Sequence, residues 1–112
     1  MKEVPIKEVT IMDDFHHNLR LHHVRSTFVI GKVDLKEGEE IVIRSSKPPH
    51  PAVRAKVLKS DTRDSPIFTE REAEAIAGKD PLFMMHYICR RAPLESLYDG
   101  ITYIEHSRPQ PV

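Results

Sequence analysis

The chain has one cysteine, four glycines and no tryptophan in 112 residues, and each scarcity excludes a class of protein. The single Cys89 has no intramolecular disulfide partner, which excludes a disulfide-stabilised scaffold and is typical of a reducing compartment. The four glycines are isolated from one another, so the sequence has no glycine-rich phosphate-binding loop. Every apolar run is far shorter than the ~20 residues that span a bilayer, which excludes a membrane-spanning helix.

The composition is that of a folded chain, with 39% hydrophobic and 30% charged residues. At this length we expect a single domain over residues 1–112, with frayed ends at 1–3 and 107–112. No charged-then-apolar leader opens the sequence, so we expect a cytoplasmic location and no membrane partner.

The formal net charge is zero, but the charges are unevenly distributed. The segment 20–63 has ten Lys and Arg against five Asp and Glu, whereas 64–105 has four against eight. Bulk electrostatics therefore do not require a nucleic-acid partner, although the basic residues concentrate in the half of the chain that is rich in predicted strands.

Alternating or β-branched runs predict five strands, at residues 4–12, 24–31, 40–45, 52–59 and 101–106. The run 52–59 has the clearest period of two, because Val53, Ala55 and Val57 alternate with Arg54, Lys56 and Leu58. This strand is predicted to bury one face and to present a basic face to solvent.

Two helices are predicted between the fourth and fifth strands. Thr69 and Glu72 have the spacing of a capping box, and Gly78 is a typical helix stop. A second helix begins at Asp80, with Pro81 in its first turn, and continues to about Arg91.

The order of these elements predicts the fold class. Strands come first, helices follow, and a strand closes the chain, which lacks the alternation of a doubly wound parallel sheet. The sequence predicts an α+β fold: a small, mostly antiparallel β-barrel with a helical segment before the last strand.

The polar segment 13–23 contains four closely spaced histidines, His16, His17, His22 and His23. Neutral imidazoles are common metal ligands, but this spacing matches no zinc pattern and no cysteine lies nearby. The period of the segment is compatible with a loop or a short helix. We therefore predict a solvated segment, with no metal site and no cofactor.

The basic residues of the predicted strands are the better candidates for a binding site. They could pair with the phosphates of RNA, the expected partner, although few aromatic residues accompany them as a stacking platform. The predicted nucleic-acid contacts are Arg25, Lys32, Arg44, Arg54 and Lys56.

Four segments resemble the ASCH domains of the PUA-like group, over residues 24–106. They are Lys36-Glu37-Gly38-Glu39-Glu40-Ile41, Ala55-Lys56-Val57, Thr69–Gly78 and Ile101–His106. Of the Gly-x-Lys-Thr-x-Glu-x-Arg-like signature of that family, the segment 31–36 keeps the glycine and one lysine. The resemblance implies a small barrel and, by analogy, RNA binding.

Two alternatives remain open at this point. Some relatives in the group are amidohydrolases that act on modified nucleosides, which would make Lys32 with Glu70 or Glu72 a candidate pair in a cleft between barrel and helix. A protein-interaction or dimerisation domain, which pairs through an edge strand or the second helix, is the other alternative. The sequence does not determine the oligomeric state.

Overall fold

A computed structural model describes residues 6–47, 49–92 and 98–112. The fold is a mixed α+β arrangement of six strands and three helices, which confirms the predicted class. The strands are β1 (Lys7–Ile11), β2 (Ser26–Ile30), β3 (Glu40–Ser45), β4 (Val53–Arg63), β5 (Ile101–His106) and β6 (Gln110–Pro111). The helices are α1 (Asp13–His22), α2 (Glu70–Ala77) and α3 (Pro81–Arg91). In these ranges, no helix combines the length and apolar character needed to cross a bilayer.

The strands form one mixed sheet in the order β1-β3-β4-β5-β2, with β6 paired to β4. β1 runs parallel to β3 and the other pairings are antiparallel. The parallel pair was not predicted. A parallel neighbour requires a long connection, and α1 and β2 provide it between β1 and β3.

The prediction of a closed barrel is wrong. In the described part of the chain no ladder joins β1 to β2, which are the two ends of the strand order. β1 leads directly into α1, whose Phe15 ring packs edge-on against Phe28 of β2 with centroids 5.0 Å apart. Packed side chains, rather than backbone hydrogen bonds, therefore fill the space beside β2.

β4 is the long central strand, and it pairs with β3 and β6 on one side of a bulge and with β5 on the other. Its register shifts between Val57 and Lys59, so the first half pairs with β3 and β6 and the second half with β5. Such a bulge bends a strand and increases its local twist. In the first half Val53, Ala55 and Val57 are buried while Arg54 is exposed, as the alternation predicts.

The helix boundaries after β4 agree with the predicted ones. The Thr69 hydroxyl accepts the Glu72 amide proton, and the Thr69 amide donates to the Glu72 carboxylate, which completes the capping box of α2. Gly78 ends the helix in the left-handed region, and the Asp80 carboxylate caps α3. These interactions join residues three positions apart and can therefore be recognised in the sequence.

The segment 13–23, for which the sequence left a loop or a short helix open, contains the ten-residue helix α1. Phe15, His16 and Leu19 form its buried face, which packs on the sheet. The buried residues of α1 cover only about two turns, which is too short to give a clear helical period in the sequence. Tertiary packing therefore determines that this segment is helical. Of the ends expected to be frayed, 107–112 includes β6, and 1–3 lie outside the described residues.

Two histidines are fully buried against backbone carbonyls. The His16 Nε2 donates to the Ile43 carbonyl at 2.9 Å while its Nδ1 accepts from the Arg20 Nε at 3.1 Å. The His106 Nδ1 donates to the Ser107 carbonyl at 2.7 Å. Burial lowers the pKa of both imidazoles below the ordinary value, so the folded protein holds them neutral.

Acidification should destabilise the protein through these two residues. Because the folded state binds their protons less tightly than the unfolded state, stability is retained above the unfolded histidine pKa of ~6.5 and is lost as the pH falls below it. Thermal unfolding of the wild type should show a lower midpoint at a pH of about 5.5 than at neutral pH. His106→Asn, whose amide nitrogen takes the position of Nδ1 and can still donate to the Ser107 carbonyl, should show a smaller decrease; an equal decrease would contradict this assignment.

Candidate nucleic-acid interface

Three of the predicted contacts lie on one outer face, formed by β3 and β4. Arg44, Arg54 and Lys56 are exposed and lie on the side of these strands opposite the buried Ile41, Ile43, Val53 and Ala55, a side that also carries the buried Val42. In the register Arg54 lies opposite Val42, and Lys56 lies opposite Glu40. The alternation that placed them on one side of the strands in the sequence thus places them on one side of the sheet.

Arg44 is held by a carboxylate from β1. Its Nε and Nη2 donate to the two Glu8 carboxylate oxygens at 3.1 and 3.0 Å. This bidentate hydrogen bond lowers the pKa of Glu8 and raises that of Arg44. A phosphate could reach Arg44 only in competition with Glu8, so Arg44 is less available than its exposure suggests.

Arg54 and Lys56 form no ion pair with any residue that the structure describes. Glu40 is the cross-strand neighbour of Lys56 and reduces the local positive charge. Arg54 has the neutral neighbours Val42 on β3 and Gln110 on β6. These two side chains are therefore more available for an anion than Arg44.

The C-terminal segment adds a cation that the sequence analysis missed. The Ser107 amide donates to the Lys56 carbonyl at 2.9 Å, and Gln110 is the register partner of Arg54. The exposed Arg108 lies between these two contacts, along the edge of β4. In the sequence, the alternation of prolines with Gln110 is compatible with an edge strand, and this pattern could have indicated that the C-terminal segment pairs with the sheet.

Arg25 lies at the end of the sheet where β5 ends and the C-terminal segment begins. Its carbonyl accepts the amide of His106 at 3.0 Å, and the next residue, Ser107, bonds to Lys56. The side chain of Arg25 is exposed and forms no ion pair with the described residues. We refer to Arg25, Arg54, Lys56 and Arg108 as the β4–β6 basic cluster.

Lys32 does not join this cluster. It follows the opposite end of β2 from Arg25, roughly 20 Å away at the usual rise per strand residue. Its ammonium group forms an ion pair with Asp64, which follows β4. Among the five predicted contacts, the cluster therefore contains Arg25, Arg54 and Lys56. Arg44 is paired with Glu8, and Lys32 is paired with Asp64.

The cleft between α2 and the sheet does not pair Lys32 with Glu70 or Glu72. Glu72 binds Arg63 through two hydrogen bonds of 2.7 and 2.5 Å, and Arg63 holds the pKa of Glu72 at about 2. A carboxylate with so low a pKa is a poor proton acceptor near neutral pH. Glu70 is exposed in the first turn of α2.

Further contacts make this cleft a packed junction. Arg63 also binds Asp61 at 2.8 Å, and its guanidinium lies 5.2 Å from the ring centroid of Tyr103. The Tyr103 hydroxyl group lies within 3.3 Å of the Ser26 hydroxyl and 3.2 Å of the Glu105 carboxylate, and burial raises its pKa. Together these contacts attach α2 to the outer face of β4 and β5.

The histidine-rich segment separates its side chains on α1. His16 is buried, whereas His17, His22 and His23 are exposed. Within the described ranges, no three His, Cys, Asp or Glu side chains come together in a way that could hold a metal ion.

Comparison with known proteins identifies the fold. No family model and no curated protein matches the sequence. The solved structure of hypothetical protein PH0355 is similar over 96% of this chain and 100% of that one, with a TM-score of 0.63 and 14% identity.

Two single-residue variants of ZmASCH from Zymomonas mobilis are also similar. Their TM-scores are 0.59 and 0.57 at 12% and 13% identity, over 94% of this chain and 73% or 71% of theirs. These structures confirm that the chain has the fold of ZmASCH. At such identities the likeness establishes the fold alone.

Proposed function

We propose that this protein binds RNA through the β4–β6 basic cluster. The observation that supports the proposal is the grouping of Arg25, Arg54, Lys56 and Arg108 as exposed cations that form no ion pair with the described residues. The ASCH fold supports the same function by analogy. A cytoplasmic location, expected from the single cysteine, forms part of this proposal.

Phosphate pairing is the role assigned to these side chains. Arg54 and Lys56 are two residues apart on one face of β4, so their Cα atoms are separated by about 7 Å along the strand. Two such cations can contact separate phosphates of one RNA strand, and the Arg54 guanidinium can bind its phosphate through two parallel hydrogen bonds. These contacts orient the RNA but do not read its bases.

The neighbouring charges rank the five residues predicted from the sequence. Arg54, Lys56 and Arg25 are the principal contacts in this proposal, together with Arg108. Arg44 contributes only when an RNA phosphate displaces Glu8, and Lys32 is omitted because it lies at the other end of β2 beside Asp64.

The salt dependence of RNA binding tests this function. We expect a labelled single-stranded RNA to bind the wild type in fluorescence anisotropy, with affinity decreasing steeply between about 50 and 200 mM salt. In Arg54→Gln/Lys56→Gln the slope of log affinity against log salt should become shallower by about 1.4, because each phosphate contact contributes about 0.7 on a single strand.

Arg71→Gln is the matched control, because Arg71 is an exposed cation on α2 and forms no ion pair with the described residues. It should bind RNA as the wild type does. The proposal is wrong if the wild type shows no salt-sensitive binding, or if the double variant and the control lose affinity equally.

A further inference from the structure

α3 and the turn before it carry a regular row of cations and aromatic rings. Lys79, Phe83, Tyr87 and Arg91 are four residues apart and therefore lie on one side of the helix. The Lys79 ammonium is 5.2 Å from the Phe83 ring centroid, and Arg91 is 4.3 Å from that of Tyr87. Between them the two rings stack, with centroids 6.0 Å apart and planes at 26°.

The row lies at the surface and not in the core. α3 buries Met84 and Ile88 fully, whereas Phe83 is 45% exposed. Tyr87 is half-buried and packs edge-on against Phe15 of α1, with centroids 5.5 Å apart. One end of the ring pair is thereby fixed to the protein while the Phe83 ring is open to solvent.

The two sides of the row differ in charge. On one side the rings border a surface groove with His86, Arg90 and Arg91. On the other side they border a second groove, which Asp13, Asp14 and Asn18 of α1 line together with Lys79. Cations suit phosphates, while carboxylate and amide groups can hydrogen-bond the edges of bases.

We propose that α3 is a stacking platform for the unpaired bases of single-stranded RNA. This inference rests on the proposed function and specifies its substrate class. A base stacks on the exposed face of Phe83 in place of Lys79, whose ammonium then pairs with a phosphate. Arg90 and Arg91 bind the strand on the basic side, and Asp14 and Asn18 face the base edge.

Replacing the Lys79 ammonium by a stacked base on the Phe83 ring should lower the free energy. Base–aromatic stacking is generally stronger than the contact of an exposed ammonium with a ring, and Lys79 keeps an anionic partner after it moves. Asp80, the acidic residue in this part of the helix, is engaged as the helix cap through a 2.7 Å hydrogen bond from the Phe83 amide. The row itself contains the two cations Lys79 and Arg91 and no carboxylate, although residues 64–105 have more acidic than basic residues overall.

Phe83→Leu tests the platform, because leucine keeps an apolar side chain on the helix but removes the ring. The probes are an oligouridylate of about 12 nucleotides and an RNA duplex of the same length, within the usual range of site sizes. We expect the variant to bind the single strand about tenfold more weakly and the duplex as the wild type does. Phe83→Trp should restore single-strand affinity.

Leu82→Ala is the matched control, because Leu82 is an apolar residue of the same helix that is 61% exposed and lies outside the row. It should bind both RNAs like the wild type. Circular dichroism of each variant should show the same helix content, so that a binding defect reports the missing ring and not an unfolded α3.

The possible outcomes separate this inference from the function on which it depends. If the wild type binds with the expected salt dependence but Phe83→Leu binds the single strand equally well, the platform is overturned and the basic cluster stands. If the wild type binds neither RNA, both proposals fail. If the wild type is a dimer in light scattering and Phe83→Leu is a monomer, the row is a self-association surface and the platform is overturned.

Discussion

Gly100→Ala should lower the free energy of unfolding by about 3–5 kcal/mol, which combines left-handed backbone strain with a steric clash. Gly100 has φ +75°, and a Cβ atom there would come within 2.3 Å of the Arg63 carbonyl oxygen. The backbone has little room to relax, because the Gly100 carbonyl accepts the Gly31 amide at 2.7 Å. Urea unfolding of wild type and variant measures the difference.

Gly38→Ala separates the two causes of this loss. Gly38 also has a positive φ, of +89°, but a Cβ atom there would meet nothing within 4 Å. The control should lose only the backbone term, about 1–2 kcal/mol. If Gly100→Ala is no less stable than Gly38→Ala, the close approach of β4 to the start of β5 does not restrict this position.

Glu72→Ala should produce the second large loss of stability, about 2–3 kcal/mol. The substitution removes the carboxylate that completes the capping box with Thr69, and it leaves the guanidinium of Arg63 without its bidentate partner. The Arg63 guanidinium lies 5.9 Å from the Phe68 ring centroid and 5.2 Å from that of Tyr103, and its side chain is 22% exposed, so water replaces the lost carboxylate only in part.

Glu72→Gln is the informative comparison, because its amide oxygen can still accept the Thr69 amide while the charge is absent. It should lose less stability than Glu72→Ala in urea unfolding, and the difference measures the cap. Equal losses would assign the whole effect to the ion pair with Arg63.

The pH dependence of Glu72 has a definite sign. Its folded pKa of about 2 lies below the ordinary value of 4.5, so its contribution is present above about 4.5 and is lost as the pH falls toward 2. The wild type should therefore lose more stability than Glu72→Gln between neutral pH and a pH of about 3.

The elements that the sequence predicted correctly are those whose signals are local. Thr69 and Glu72 determine the start of α2 through hydrogen bonds between residues three apart, and Asp80 determines that of α3. The alternation along 52–59 predicted which face of β4 is buried because strand side chains point to opposite sides in turn. The ASCH resemblance predicted the fold, which the solved structures confirm.

The features that the sequence did not specify have weak local signals. α1 buries one side over two turns, so a window of histidines and aspartates conceals its period. β6 has two residues and forms only because β4 offers an unpaired edge there. The sheet stays open between β1 and β2, where Phe15 of α1 packs against Phe28, and these two residues are thirteen positions apart along the chain.

The sequence alone determined that Arg54 and Lys56 lie on one side of β4, because side-chain direction along a strand follows from backbone geometry. Only the tertiary structure decided which of the basic residues are available as a group. Glu8 reaches Arg44 across β1 and β3, Asp64 holds Lys32 at the far end of β2, and the turn at Ser107 brings Arg108 beside Lys56. These pairings join residues at least 32 positions apart, so charge counted along the chain cannot reveal them.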